Sequence, residues 1–186
     1  FNTFAYTGSL GMAALAGNAK FVIQTDLNDK YLQIFTETAK INEINPKRFQ
    51  TIPGNFFRIA SELRRQNKLF DCVIIDPPFF SKTNDGVVDQ LQNGIKLINK
   101  VRPLVADGGK IITINNALFL SGRDYIKQLE ALCTDQFVQI KELIPVPNSF
   151  FGGDFDKERM PADPAPFNHP TKIAILEVYR KDGRNA

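Results

Sequence analysis

The chain has 186 residues, enough for one domain with a proper core. Its 43% apolar and 23% charged residues exclude a disordered chain, and a net charge of +3 neither establishes nor forbids a nucleic-acid partner. No apolar run is long enough to cross a bilayer. The two cysteines, Cys72 and Cys133, sit in apolar runs and read as reduced core residues of a cytoplasmic protein, and no Cys or His spacing suggests a metal.

In chain order, Phe1 to Tyr6 reads as the tail of a strand. Its abrupt start raises the expectation that an N-terminal segment or domain precedes a single domain spanning 1–186. Thr7 to Gly11 is a glycine turn, and Met12 to Ala19 is a small, apolar helix suited to close packing on a sheet. Phe21 to Asp26 is a strand ending in an acid. Asn28 can cap the next helix, whose stripe is Tyr31, Ile34, Phe35, Thr38 and Ile41, and Asn45-Pro46 stops it. Phe49 to Ile52 is a third strand. Asn55 to Gln66 is a helix, amphipathic through Phe56, Ile59 and Leu63.

Leu69 to Ile75 reads as a strand, and its continuously apolar, β-branched part, Cys72 to Ile75, as buried on both faces. It stops at Asp76-Pro77-Pro78-Phe79-Phe80, where Pro77 cannot donate to a ladder. Val87 to Val105 is expected to be helical, with Leu91, Ile95, Ile98 and Leu104 inward, and Asp107-Gly108-Gly109 as its exit turn. Lys110 to Asn115 is a strand, Asp124 to Leu132 a helix, and Phe137 to Ile144 and Thr171 to Tyr179 the last two strands. The alternation argues an α/β fold with a mainly parallel sheet. Between the last two strands Pro145 to Pro170 carries no helix, so these strands are expected to pair antiparallel.

Three features sit at strand carboxyl ends, where open α/β sheets bind ligands. The glycine turn lets the backbone approach a ligand in front of a helix N-terminus. Asp26 lies about 20 residues further on, where nucleotide-binding folds hold an acid for a ribose diol. Asn55-Phe56 offers an amide and a ring for an adenine. Each has a plain alternative: a turn without ligand, Asp26 or Asn55 as a helix cap, and Phe56 as core. The spacing is not GxGxxG, which argues against a dinucleotide enzyme.

Asn2-Thr3-Phe4-Ala5-Tyr6-Thr7-Gly8-Ser9-Leu10-Gly11, with Asp26 and Asp76-Pro77-Pro78-Phe79, resembles the class I S-adenosylmethionine-dependent methyltransferases, and within them the branch acting on large-subunit ribosomal RNA. The resemblance implies a Rossmann-like methyltransferase fold: a seven-stranded, mostly parallel sheet, an antiparallel last strand and helices on both faces. It implies S-adenosylmethionine as cofactor, held by Phe4, Tyr6, Thr7, Gly8, Gly11, Asp26, Leu27, Asn55, Phe56 and Asp76. Many members carry an acid where this chain has Asn55, whose amide can still accept a bond from the adenine amino group.

Methyl transfer to an exocyclic amino nitrogen needs acceptors around its N–H groups as positive charge develops. Asp76 supplies a carboxylate, Pro77 a direction-restricted carbonyl, and Phe79 a stacking face. Asp76, Pro77, Pro78 and Phe79 are therefore the candidate catalytic residues. In the resembling family this tetrapeptide marks amino-nitrogen methylation, with related sequences used on a guanine ring nitrogen and on protein glutamine. Pyrimidine carbon-5 chemistry needs a cysteine nucleophile. The strand end where some relatives carry it reads Thr113-Ile114-Asn115-Asn116-Ala117.

Phe79, Phe80, Lys82, Asn116 and Phe151 are the candidate substrate contacts. The Asn148 to Phe155 loop either closes over a base or plugs the sheet. His169, the sole histidine, reads as structural, and Arg64, Arg65 and Lys68 as solvated surface or phosphate contacts. The expected activity is methylation of a base nitrogen in ribosomal RNA. The alternatives are a protein or small-molecule acceptor, or a domain that holds RNA without catalysis.

Overall fold

The computed structural model describes residues 1–144 and 171–186. The 148–155 loop, with the candidate contact Phe151, and His169, read as structural, lie outside these residues. A seven-stranded sheet forms the centre, built from β1 (Asn2–Thr3), β2 (Val22–Asp26), β3 (Phe49–Pro53), β4 (Phe70–Ile75), β7 (Val105–Asn115), β8 (Val138–Ile144) and β9 (Lys172–Val178). Their spatial order is β3-β2-β1-β4-β7-β9-β8. The first five strands in this order run parallel, and β9 is antiparallel to both β7 and β8. The expected sheet and its antiparallel last strand are both present. The order reverses at β1 and β4, and such a switch point opens a crevice at the strand carboxyl ends.

Among the described residues five α-helices cross between strands: α1 (Ser9–Ala16), α2 (Asp29–Ile41), α3 (Phe56–Arg65), α4 (Gly94–Val101) and α5 (Gly122–Leu132). They cover both faces. Neighbouring residues of a strand point to opposite sides, and Val22 packs with Leu15 and Phe35 of α1 and α2, while Ile23 belongs to the larger cluster of α3, α4 and α5. The turn before α1 is shaped by packing as much as by backbone freedom. Gly8 has φ +80°, and a Cβ there would lie 2.5 Å from the Phe35 ring. A Cβ on Gly11 would lie 2.2 Å from the Gln24 side-chain amide, so α1 rests directly on β2.

Three expectations fail. The segment from Val87 is not helical: β5 (Phe80–Thr83) and β6 (Gly86–Asp89) form an antiparallel hairpin, and α4 starts only at Gly94. Asn84-Asp85 makes the two-residue turn, and the β-branched pair alternates, Val88 buried and Val87 exposed, as a strand requires. On α2 the buried stripe is Leu32, Phe35 and Ala39; Ile34 and Ile41 are exposed. Only Phe35 of the expected stripe is buried, because the helix turns it toward Gly8 and the Phe49 ring. Asp107 to Gly109 falls inside β7 rather than in a separate exit turn, at a register break where Phe70 pairs Val105 but Cys72 pairs Lys110.

Candidate functional site

A cavity of about 570 Å³ opens along the carboxyl ends of β1, β2, β3 and β4, within the usual size range for ligand pockets. Phe4, Tyr6, Asp26, Leu27, Asn55, Phe56 and Asp76 line it, as do Pro77, Pro78 and Asn116. Thr7, Gly8 and Gly11 do not; the two glycines face Phe35 and Gln24 instead. Phe79, Phe80 and Lys82 lie outside the lining, with Phe79 and Phe80 about half exposed beside it. The structure thus unites the β2, β3 and β4 ends and separates the glycine turn's side from the cavity surface.

Asp26 is held by the backbone. Tyr6 N–H donates to Oδ2 at 2.8 Å and Asn28 N–H to Oδ1 at 2.9 Å. Each carboxylate oxygen has a further acceptor site, so Asp26 can still receive two hydroxyls. The cap of α2 is Asn28, whose side chain accepts from Lys30 N–H. Phe4 and Tyr6 both hold positive φ, 51° and 50°, an uncommon state for bulky residues and one that clusters at ligand sites. Their rings are supported by neighbours: Phe4 lies 4.6 Å from the Phe56 ring and Tyr6 4.4 Å from Tyr31, centroid to centroid.

Asn55 is more committed than its sequence position suggests. Its Oδ1 accepts from Phe57 N–H at 2.8 Å and Arg58 N–H at 3.4 Å, capping α3, while Nδ2 donates to Thr83 Oγ1 at 2.7 Å. The oxygen is taken up by the helix start, and the cavity is left one hydrogen of Nδ2. Thr83 belongs to the β5–β6 hairpin, so the hairpin is fastened to the α3 end of the cavity. Ser81, Gly86 and Val88 of the same hairpin also line it. These residues were missed by the sequence reading, although Asn84-Asp85-Gly86 between short β-branched runs is a hairpin signal.

Asp76 follows β4 directly. Asn116 Nδ2, beyond the end of β7, donates to its Oδ1 at 3.0 Å. Burial pushes the Asp76 carboxyl above its ordinary range, and the Asn116 bond opposes that rise. The Pro77 carbonyl accepts a bond from the Gln90 side chain, which also accepts from Asn116 N–H. Neither Cys72 nor Cys133 lines the cavity, and burial raises both thiols, Cys72 from within β4.

The cavity fits an adenosyl sulfonium cofactor on its own geometry. One end carries a carboxylate with spare acceptor sites for a diol, the middle is walled by Phe4 and Phe56, and a second carboxylate stands on the β4 side. Among the described residues no group of three or more His, Cys, Asp or Glu side chains is placed to hold a metal ion. No helix among them is long and apolar enough to cross a membrane.

Comparison with known proteins agrees with this geometry. The chain is 33% identical over 113 residues to ribosomal RNA large subunit methyltransferase I of Aeromonas hydrophila, covering 60% of this chain and 28% of that protein. It is 32% identical over 117 residues to ribosomal RNA large subunit methyltransferase K/L of Shewanella loihica, covering 62% of this chain and 16% of that protein. It therefore spans less than a third of either relative. Among solved structures, SMU.776 in complex with SAH shares the fold, with a TM-score of 0.79 at 22% identity over 95% of this chain and 44% of that one. The family model for S-adenosylmethionine-dependent methyltransferases matches residues 1–151, and the chain belongs to that family.

Proposed function

We propose that this chain methylates a base nitrogen of RNA, ribosomal RNA foremost, in the cytoplasm. The observation that carries the reading is the Asp76 carboxylate, set in the cavity wall and tied to Asn116, with the exposed Phe79 and Phe80 following it in the chain. The names of the two ribosomal RNA methyltransferase relatives support the RNA acceptor.

When bound, S-adenosylmethionine supplies an electrophilic methyl group on a sulfonium and leaves as S-adenosylhomocysteine. Asp26 would take the ribose hydroxyls, Phe4 and Phe56, whose rings pack on each other, would together form one wall against the adenosyl rings, and Asn55 would offer its remaining N–H to the base edge. Tyr6 and Leu27 cover the cavity, while Thr7, Gly8 and Gly11 shape the turn that carries Phe4 and Tyr6. At the acceptor end, Asp76 Oδ2 accepts a hydrogen bond from the nucleophilic nitrogen. This favours the nitrogen as it gains positive charge and orients its lone pair. Asp76 or solvent then takes the released proton. Pro77 and Pro78 stiffen the turn that presents Asp76. Phe79 and Phe80 stack an unpaired base, an interaction worth about 1–3 kcal/mol per base. Lys82 on the hairpin contacts backbone phosphate, and Phe151 is assigned to the substrate by sequence alone. A base in paired RNA has to leave its stack to reach Asp76. Carbon-5 methylation is disfavoured because no cysteine lines the cavity.

Labelled-methyl transfer to cell extract, with and without ribonuclease, tests the reading. Label that ribonuclease renders acid-soluble supports it. Label that survives ribonuclease and disappears with protease would transfer the assignment to a protein acceptor.

A further inference from the structure

Gln90, at the end of the β5–β6 hairpin, is 1% exposed and plays no part in the chemistry described above. All four of its polar groups are bonded to residues of the acceptor end. Its backbone N–H donates to the Phe79 carbonyl at 3.0 Å, and its backbone carbonyl accepts from Asn115 Nδ2 at 3.2 Å. Its side-chain Nε2 donates to the Pro77 carbonyl, and its Oε1 accepts from Asn116 N–H. Pro77 and Phe79 belong to the turn after β4; Asn115 and Asn116 belong to the end of β7. One buried amide therefore fixes both walls of the acceptor end relative to each other, and Asn116 in turn donates to Asp76.

A buried amide bonded at both its nitrogen and its oxygen is more than filler. Leaving the Pro77 carbonyl or the Asn116 N–H without a partner costs each its desolvation, so the two walls are held in one arrangement. The two amide ends have different tasks, because Nε2 can only donate and Oε1 can only accept. We propose that Gln90 is a positioning residue for methyl transfer: it locks the Pro77 carbonyl and the Asn116 backbone so that Asn116 holds Asp76 in its working orientation. The inference rests on the reading of Asp76 as the group that engages the acceptor nitrogen.

Two variants test it. Gln90→Leu keeps the volume and removes both bonds. Gln90→Glu keeps an acceptor for Asn116 N–H at every pH, but it can donate to Pro77 only when its carboxyl is protonated. Labelled-methyl transfer to ribosomal RNA is measured with each purified variant across pH, together with the S-adenosylhomocysteine affinity and the Asp76 carboxyl titration followed by carbon NMR. For Gln90→Leu the expected result is a fall in kcat of about 10–100-fold, the scale for a misplacement of about an ångström at a reacting centre. Cofactor affinity changes by less than about 3-fold, since Gln90 is not in the cavity lining. The Asp76 carboxyl titrates at higher pH in Gln90→Leu than in the wild type, because Asn116 no longer holds the carboxylate. For Gln90→Glu the activity relative to wild type rises as pH falls. Wild-type kcat in Gln90→Leu, or an unmoved Asp76 titration, overturns the proposal. A wild-type protein that methylates no RNA overturns the proposed function instead, and the Asp76 titration then decides the role of Gln90 alone.

Discussion

Asn116, just beyond β7, donates its side-chain amide to Asp76, just beyond β4, across 3.0 Å. The two residues are 40 positions apart and meet only because β4 and β7 are sheet neighbours. Asp76→Ala removes the carboxylate from the acceptor end. It is expected to abolish methyl transfer while S-adenosylhomocysteine affinity, measured by calorimetry, stays within about 5-fold, because the ribose and adenine contacts are elsewhere. Unchanged turnover would end the assigned role.

The raised Asp76 carboxyl also predicts a pH signature. Because its folded value lies above its unfolded one, its stabilising contribution is present in acid and lost as pH rises through the folded value. Asp76→Asn escapes that loss and can still accept from Asn116. The variant should unfold at higher urea than the wild type at pH 7, with the difference closing toward pH 4. Methyl transfer by the wild type should fall on the acid side at a pH above the ordinary carboxyl range.

Asp26 is anchored by Tyr6 and Asn28 N–H and keeps acceptor capacity for hydroxyls. Asp26→Ala should weaken S-adenosylhomocysteine binding by about 10–100-fold, since bonds to a charged acceptor are worth roughly 1.5–3 kcal/mol. A titration curve that superimposes on the wild type's would exclude Asp26 from the ribose site.

Thr83→Val preserves shape and deletes the hydroxyl that receives Asn55 Nδ2. The same hydroxyl donates to the Gly86 carbonyl at 3.1 Å, so the cavity wall at the α3 end loses two bonds of about 1 kcal/mol each, and cofactor affinity should drop roughly 5-fold with a modest fall in melting temperature. Equal affinity would show that the hairpin is fastened there without influencing the cofactor.

Gly8 tests the fold rather than the cavity surface. Alanine there would place a Cβ 2.5 Å from Phe35 at φ +80°. The combined backbone strain and overpacking should cost about 2–4 kcal/mol, lowering the melting temperature by roughly 5–15 °C. Gly108→Ala, also at positive φ but with open space around it, should cost less because only the backbone term remains.

Most of the fold and about half of the site were legible in local signals. The continuous β-branched run ending in Asp76-Pro77 identified β4 and its exposed end. Asp26 and Asn55-Phe56 were placed on the correct sheet edge, because a strand's last residue and a helix's first are set by neighbours in sequence. The Val87 segment failed because a few β-branched residues followed by a helix have no periodicity long enough to decide between the two, and the Asn84-Asp85 turn was the deciding signal. The α2 stripe failed because several faces of that helix carry apolar residues, and the space beside Gly8 selected Phe35.

The sequence alone determined the α/β alternation, the family resemblance and the acid at the end of β4, all of which follow from periodicity, turn chemistry and short motifs. Only the tertiary structure decided that Gly8 and Gly11 serve packing and that Asn55 is occupied by a helix start and Thr83. It also decided that Gln90, Pro77, Asn116 and Asp76 form one bonded group. Those relations join residues tens of positions apart, and a hydrogen bond is specified by distances that the order of strands in the sheet sets and the order of residues in the chain does not.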